Sequence, residues 1–231
     1  MDWGGKKKAV TLSFDDGVTQ DRRLVELLNR YQLKATFNLN SACFGKTGKT
    51  TWLKQVVPHD KIQAQEVATL YKGHEVAAHT RTHPNLTTLD EETIVEQVER
   101  DREELSALCG YEVLGMAYPC GGVNNDERVA EIIGRRTGIQ YARTISCTNN
   151  FDLQSNYLRF NPSVYYTDGN FEKVVDDFLA LQTDKPQLLY IWGHSYEMDA
   201  ELITWETFER ICKKLSGKAD IFYGTNREVL L

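Results

Sequence analysis

At 231 residues the chain is long enough for one sizeable domain or two small ones, and 41% hydrophobic with 26% charged residues is an ordinary globular balance. A net charge of −6, with no strong basic block to offset it, argues against a nucleic-acid binder. No apolar run approaches the ~18 residues of a membrane span. The five cysteines, at 43, 109, 120, 147 and 212, are odd in number and form no CxxC pair, so neither a zinc knuckle nor a thioredoxin-like motif is readable; a reducing compartment fits best, with one or two disulfides as the alternative. The chain as written opens on Met1-Asp2-Trp3-Gly4-Gly5 with no signal peptide, so the expected location is the cytoplasm. A secreted or cell-surface protein whose leader had been removed would read the same.

Lys6-Lys7-Lys8 reads as a short solvated run. Ala9–Phe14 reads as a buried strand, and 19–31 as a helix with Leu24, Leu27, Leu28 and Tyr31 on one face and Thr19 as its cap. A second strand is expected at 35–39, followed by a polar insertion over 41–60 that suits a rim loop. A helix over 63–71 closes at Gly73, and a strand at 75–78 runs into His79. The longest helical pattern is 90–108, with Ile94, Val98 and Leu105 inward and Gly110 after its end. Then come a strand at 113–117, the turn Tyr118-Pro119-Cys120-Gly121-Gly122, a helix over 126–136 stopped by Gly138, and a strand at 139–143. A helix at 171–181, an apolar strand at 187–192, a helix at 204–215 and a strand at 219–222 complete the pattern. Alternating helices and near-continuous apolar strands indicate a parallel sheet with helices outside, either a barrel or an open doubly wound sheet. The polar residues favour the barrel: Asp15-Asp16, His79, Tyr118-Pro119 and His194 all follow strands, and those positions converge on one face of a parallel barrel.

Each of these groups has an ordinary explanation when taken alone. Asp-Asp-Gly is common turn chemistry, two histidines at i, i+4 arise by chance, and a histidine at a strand end is usually hydrogen-bonded structure. His59 and His74 lie in loop-like contexts and read as structural or solvated. Taken together, the first three change the odds. A carboxylate and two imidazoles, Asp16, His79 and His83, suit a divalent ion with open positions. Asp15 is then spare beside it for general-base work, and His194, after a strand with no charged side chain from Leu188 onward, sits where a general acid has a tuned pKa.

Ser13-Phe14-Asp15-Asp16 with His79-Thr80-Arg81-Thr82-His83 resembles the paired motifs of NodB-like polysaccharide deacetylases, which are metal-dependent carbohydrate esterases. Leu33-Lys34-Ala35-Thr36-Phe37 is similar to the family's second strand, and Ile191-Trp192-Gly193-His194 to its late Leu-x-x-His motif. The resemblance covers roughly residues 8 to 223. It implies a single domain over 1–231 with a distorted (β/α) barrel of about seven parallel strands and outer helices. It assigns Asp15 as base, His194 as acid, and Asp16, His79 and His83 as ligands of one divalent ion, Zn²⁺ first, with Co²⁺, Ni²⁺, Mn²⁺ and Fe²⁺ as alternatives. The reaction implied is removal of N-acetyl groups from an amino sugar or polysaccharide. The same machinery would serve an O-acetyl xylan esterase or a small cyclic-amide hydrolase, and a non-catalytic carbohydrate-binding relic is the reading from another class.

Two departures from the family pattern stand out. The third motif, Arg-x-Pro-Tyr, is here Ala117-Tyr118-Pro119-Cys120, so the Arg that braces the base is absent. The fourth, which carries an Asp and a Trp, has no counterpart around Ser146–Asn150. Arg143 is the candidate to brace Asp15, and Glu197 to orient His194. Tyr118, Cys120 and Trp192 are the candidates for the oxyanion and substrate contacts, with Trp52 and Tyr196 also available to stack on a sugar. Core packing is the stronger alternative for Trp192 than for Trp52. Oligomeric state has no signature in the sequence.

Overall fold

The computed structural model describes residues 3–52 and 55–231. The first strand, β1 (Lys8–Asp15), is buried along its whole length, as a strand covered on both faces must be. Helix α1 (Asp21–Arg30) returns along the outside and buries Leu24, Val25, Leu27 and Leu28. It starts two residues later than expected, and Thr19 does not cap it. The Thr19 N–H is committed to Asp60 O at 2.8 Å, and the position before the helix is Gln20, whose side chain makes no capping bond. After β2 (Ala35–Leu39), the polar insertion contains a short antiparallel hairpin, β3 (Lys49–Trp52) and β4 (Gln55–Pro58), that the sequence pattern did not announce.

The expected helix over 63–71 is a 3-10 turn at Ala64–Glu66 followed by the single-turn α2 (Val67–Leu70). β5 (Glu75–Ala78) occupies the span expected. Then come α3 (Glu91–Cys109), β6 (Gly115–Ala117), α4 (Glu127–Arg136), β7 (Tyr141–Arg143), β8 (Val164–Tyr165), α5 (Phe171–Ala180), β9 (Gln187–Gly193), α6 (Trp205–Leu215), β10 (Ile221–Tyr223) and α7 (Asn226–Leu230). Of these, β8 and α7 are too short to carry a periodicity. Helix α3 ends as its sequence indicated, with Gly110 in the left-handed region at φ 74. Helix α4 begins where the Asp126 carboxylate accepts the Val129 N–H at 2.7 Å. Asp126→Ala should cost about 1 kcal/mol, or ~2–4 °C of Tm in a domain of this size, readable in a thermal melt.

The main sheet runs β7-β6-β5-β2-β1-β9-β8, every pair parallel, with β10 beside Lys8–Val10 of β1 and β2 beside Leu12–Asp15. Its two edges meet through the segment before β8. Phe160 bridges Arg143 of β7, and the Ser163 N–H donates to Tyr190 O of β9. The result is the distorted barrel of parallel strands that the sequence indicated. Its hydrophobic core joins the strand interior to the inner faces of α1, α3, α4, α5 and α6. A separate small cluster, Val18, Val57, Tyr196 and Ala200 with Trp52 and Leu202, fixes the hairpin against the loop after β9. In the basic run near the start Lys7 is exposed as expected and Lys6 half-buried, but Lys8 departs from the expectation. Lys8 is buried, its ammonium 2.9 Å from Asp220 and bonded to the Leu179 and Leu181 carbonyls.

Candidate active site

A parallel barrel gathers the residues that follow its strands onto one face, and five strands contribute here. Asp15 ends β1 and Arg143 ends β7, while His79, Tyr118 and His194 follow β5, β6 and β9 directly. All but Arg143, which is fully buried, line a cleft of about 260 Å³ whose walls also include Asp16, Trp52, His83, Cys120, Gly121, Ile145, Tyr165, Trp192 and Tyr196. The loops forming it carry backbone strain: Asp16, Thr80, His83 and Cys120 all have positive φ, from 64 to 83°, without being glycine. Each such residue costs on the order of 1–3 kcal/mol and persists only where its surroundings over-determine it.

Asp16, His79 and His83 each offer a ligand atom, all within 4.8 Å of one another. The His79 ring donates from Nδ1 to Ala117 O at 2.8 Å, which leaves Nε2 for the cleft. Burial lowers the His79 pKa to about 4 despite the pull of Asp15, so the ring is neutral at physiological pH, the form that ligates. Burial pushes Asp16 up, but the hydrogen bond from His59 and the Lys61 ammonium outweigh it and hold the carboxyl well below its usual range. Two neutral imidazoles and a carboxylate, with no thiolate among them, are a donor set that fits a borderline divalent ion.

Asp15 is ionised in a dry setting. Burial raises its pKa, yet Arg143, His79 and His194 together hold it below the usual carboxylate range. Arg143 is fully buried and reaches both Asp15 oxygens through Nη2, the contact to Oδ1 measuring 2.5 Å. The same guanidinium donates to Thr144 O at 3.0 Å and lies 4.5 Å from the centre of the Trp192 ring. Asn38, on the neighbouring strand, donates to Asp15 Oδ1 at 2.8 Å. Sequence reasoning had no signal for Asn38 beyond its register opposite Asp15 across the β1–β2 pair.

His194 Nε2 faces Asp15 Oδ2 at 3.9 Å, and its other ring nitrogen sits 3.1 Å from Glu197 Oε1. Glu197 Oε2 also accepts the His194 N–H at 3.0 Å, and Tyr165 OH bonds the same carboxyl. Burial raises the Glu197 pKa well above normal, and burial lowers that of His194 against the attraction of Asp16 and Asp15. Gly193 is required by close approach, since a Cβ there would lie 1.8 Å from the Tyr166 ring.

Other candidates need correction. Tyr118 lines the cleft, but its hydroxyl donates to Leu158 O at 2.7 Å and its N–H to Arg143 O, so neither is available to a ligand. Pro119 has no N–H, which leaves the backbone of Cys120 and Gly121 as the donors of that turn. Cys120 Sγ itself is turned to His83, 3.5 Å from its carbonyl oxygen. Trp192 is 7% exposed, yet it faces the cleft, stacked on Tyr165 at 4.4 Å with Nε1 on Cys147 Sγ. His74 is structural as expected, its Nδ1 accepting the Ala35 N–H. His59 is not: the insertion brings its Nε2 to 3.1 Å from Asp16 Oδ2. The fold contact that delivers it is long-range, so local sequence held no sign of it. All five cysteines are free thiols. Among the described residues no helix is long and apolar enough to cross a membrane.

Comparison with known proteins places this arrangement. Over 129 residues the chain is 28% identical to the peptidoglycan-N-acetylglucosamine deacetylase PgdA of Listeria monocytogenes, covering 55% of this chain and 24% of that protein. The matched stretch thus spans about a quarter of the length of those curated relatives. Among solved structures, the Xyl-CE4 domain of a multidomain xylanase from the hindgut metagenome of Trinervitermes trinervoides superposes with TM-score 0.61 at 16% identity, over 96% of this chain and 89% of that one. A family 4 carbohydrate esterase from Streptomyces lividans, in complex with acetate, gives 0.59 at 19% identity over 95% and 93%. A family 4 pseudoenzyme from Bacillus anthracis gives 0.55 at 17% over 97% and 66%. At such identities these structures speak for the fold. The sequence profile described as polysaccharide deacetylase matches residues 4–141, more than half of the chain and inclusive of the Asp15-Asp16 loop and the His79–His83 turn, so the chain belongs to the polysaccharide deacetylase family.

Proposed function

We propose that this protein is a metal-dependent hydrolase that removes the N-acetyl group from an acetylated amino sugar or its polymer. The observation that carries the reading is the pairing of Asp15 and His194 across the cleft, 3.9 Å apart, beside the three-ligand cluster of Asp16, His79 and His83. A divalent ion held by those three, Zn²⁺ by the chemistry of the donors, supplies Lewis-acid polarisation to the acyl carbonyl and to water. Asp15, ionised and aimed by Arg143 and Asn38, accepts the proton of the attacking water. In this reading the backbone N–H groups of Cys120 and Gly121, in a turn that lines the cleft, are the donors for the developing oxyanion. His194 delivers a proton to the leaving amine, which departs poorly without it, and Glu197 holds the ring in register. The products are acetate and a free amine. Trp52, Tyr165, Trp192 and Tyr196 offer aromatic faces to a sugar ring.

Support for an N-acetyl substrate comes from the named activity of the Listeria relative, and an O-acetyl ester is the competing substrate within the same chemistry. The pseudoenzyme neighbour favours a second reading, a carbohydrate-binding relic. Against it, this chain keeps base, acid and all three ligands together. The deciding experiment measures acetate release from chitooligosaccharides, acetylxylan and small cyclic amides, with metal-stripped and Zn²⁺-restored protein. Release from the chitooligosaccharides alone, lost on stripping and regained on restoration, is expected. Asp16→Ala should abolish both the activity and the bound metal, the latter by elemental analysis. Absence of release from every substrate by protein that does hold metal would leave the relic.

A further inference from the structure

Segment 59–62 closes the insertion by docking onto the loop after β1. The Thr19 N–H donates to Asp60 O at 2.8 Å, the Ile62 N–H donates to Gly17 O at 3.0 Å, and Val18 and Lys61 form an antiparallel bridge. This docking carries His59 Nε2 to 3.1 Å from Asp16 Oδ2, and Lys61 Nζ to 2.7 Å from the Asp16 carbonyl. Asp16 is a residue that needs holding. Its backbone sits at φ 83, in the left-handed region, which a residue other than glycine keeps only where its neighbours hold it. With Oδ2 engaged by His59, the other oxygen lies 3.4 Å from Lys61 Nζ and 3.7 Å from His83 Nε2. Among the described residues, His59 is not in the cluster whose ligand atoms lie within 4.8 Å of one another. Its effect on that cluster passes through Asp16.

We propose that His59 is a positioning residue for the metal centre: its ring N–H ties down one oxygen of Asp16 so that the other is presented, pre-oriented, beside His79 and His83. The inference rests on the metal-site reading above. Its consequence is that the insertion carrying β3 and β4 belongs to the metal site as well as to the cleft rim. The same insertion bears Trp52 on the cleft, and the His59 ring packs edge-on against Tyr196 at 5.0 Å, which in turn lies 5.1 Å from His194.

Two substitutions separate the hydrogen bond from the packing. His59→Phe keeps the ring against Tyr196 and deletes the donor; His59→Gln keeps a donor at similar reach and deletes the ring. Metal-stripped full-length protein is titrated with Zn²⁺ alone in equilibrium dialysis, with a thermal melt for each variant. Loss of a partner that orients a metal ligand weakens affinity about 10–100-fold. That loss is expected for His59→Phe at an unchanged Tm, with His59→Gln close to the wild-type affinity. Wild-type affinity in His59→Phe overturns the proposal, and so does a His59→Gln variant that folds but binds weakly. Asp16→Ala in the same titration keeps the two ideas apart: if it retains wild-type affinity, the metal-site reading itself fails.

Discussion

Asp15→Asn is expected to lower acetate release by about 10²–10⁴-fold, the usual worth of a positioned general base, while the protein still takes up Zn²⁺. Asp15 and Asp16 are adjacent in sequence but face different partners. Asp16 meets His59, Lys61 and His83, whereas Asp15 meets Arg143, Asn38 and His194. The amide keeps the size of the carboxylate and can still accept from Arg143, so cleft shape and ligand cluster are preserved while the proton acceptor is lost. Turnover is measured with saturating metal, and bound metal by elemental analysis on the same sample. Undiminished release would remove Asp15 from the chemistry. Loss of metal together with activity would mean that the two carboxylates do not divide the work as proposed.

Arg143→Met carries the second large effect, and it acts on stability as well as turnover. Both members of the Arg143–Asp15 pair are almost completely buried. Removing one partner of such a pair costs about 3–5 kcal/mol, because the other is left charged without compensation. In a domain of this size that is ~6–20 °C of Tm. Turnover should fall too, since burial then raises the Asp15 pKa with only His79 and His194 against it, and the carboxylate loses its aim. The pH dependence has a definite sign. Asp15 is held below the usual carboxylate range in the wild type, so its stabilising contribution is present above that range and is lost as pH falls through the folded-state pKa. The Tm gap between wild type and Arg143→Met should therefore be widest near neutrality and narrow in acid, where protonation of Asp15 relieves the variant. Combining Arg143→Met with Asp15→Asn should recover part of the lost stability, because no buried charge is left alone. Strictly additive losses would show that the pair does not interact as its geometry indicates.

The absence of the family's usual Arg at position 117 marks where sequence reading succeeded and where it stopped. Position 117 is the last residue of β6, and Arg143 is the last residue of β7, directly beside it in parallel register. A guanidinium is long enough to reach Asp15 from either strand. The requirement for a bracing cation was legible only through the resemblance to the family's Arg-x-Pro-Tyr motif, and Arg143 was the candidate to replace the missing Arg because it ends a strand. Which strand supplied it depended on register. Glu197 was found from its spacing to His194, a local relation that a 3-10 turn preserves. His59, Asn38 and Tyr165 lacked any such relation.

The sequence by itself determined the alternation of strands and helices, the parallel barrel, and the Asp15-Asp16, His79, His83 and His194 positions at strand ends. These follow from short-range physics: apolar runs that need two covered faces, caps and glycines that end helices, and a barrel that brings strand ends to one face. Only the tertiary structure decided how the insertion folds back onto the loop after β1, and hence that His59 and Lys61 meet Asp16. It also decided that the Tyr118 hydroxyl and N–H are spent on Leu158 and Arg143 rather than left for a ligand. Such contacts join residues more than twenty positions apart on elements with weak or no periodicity. They are specified by packing and register across the whole fold, which no local pattern records.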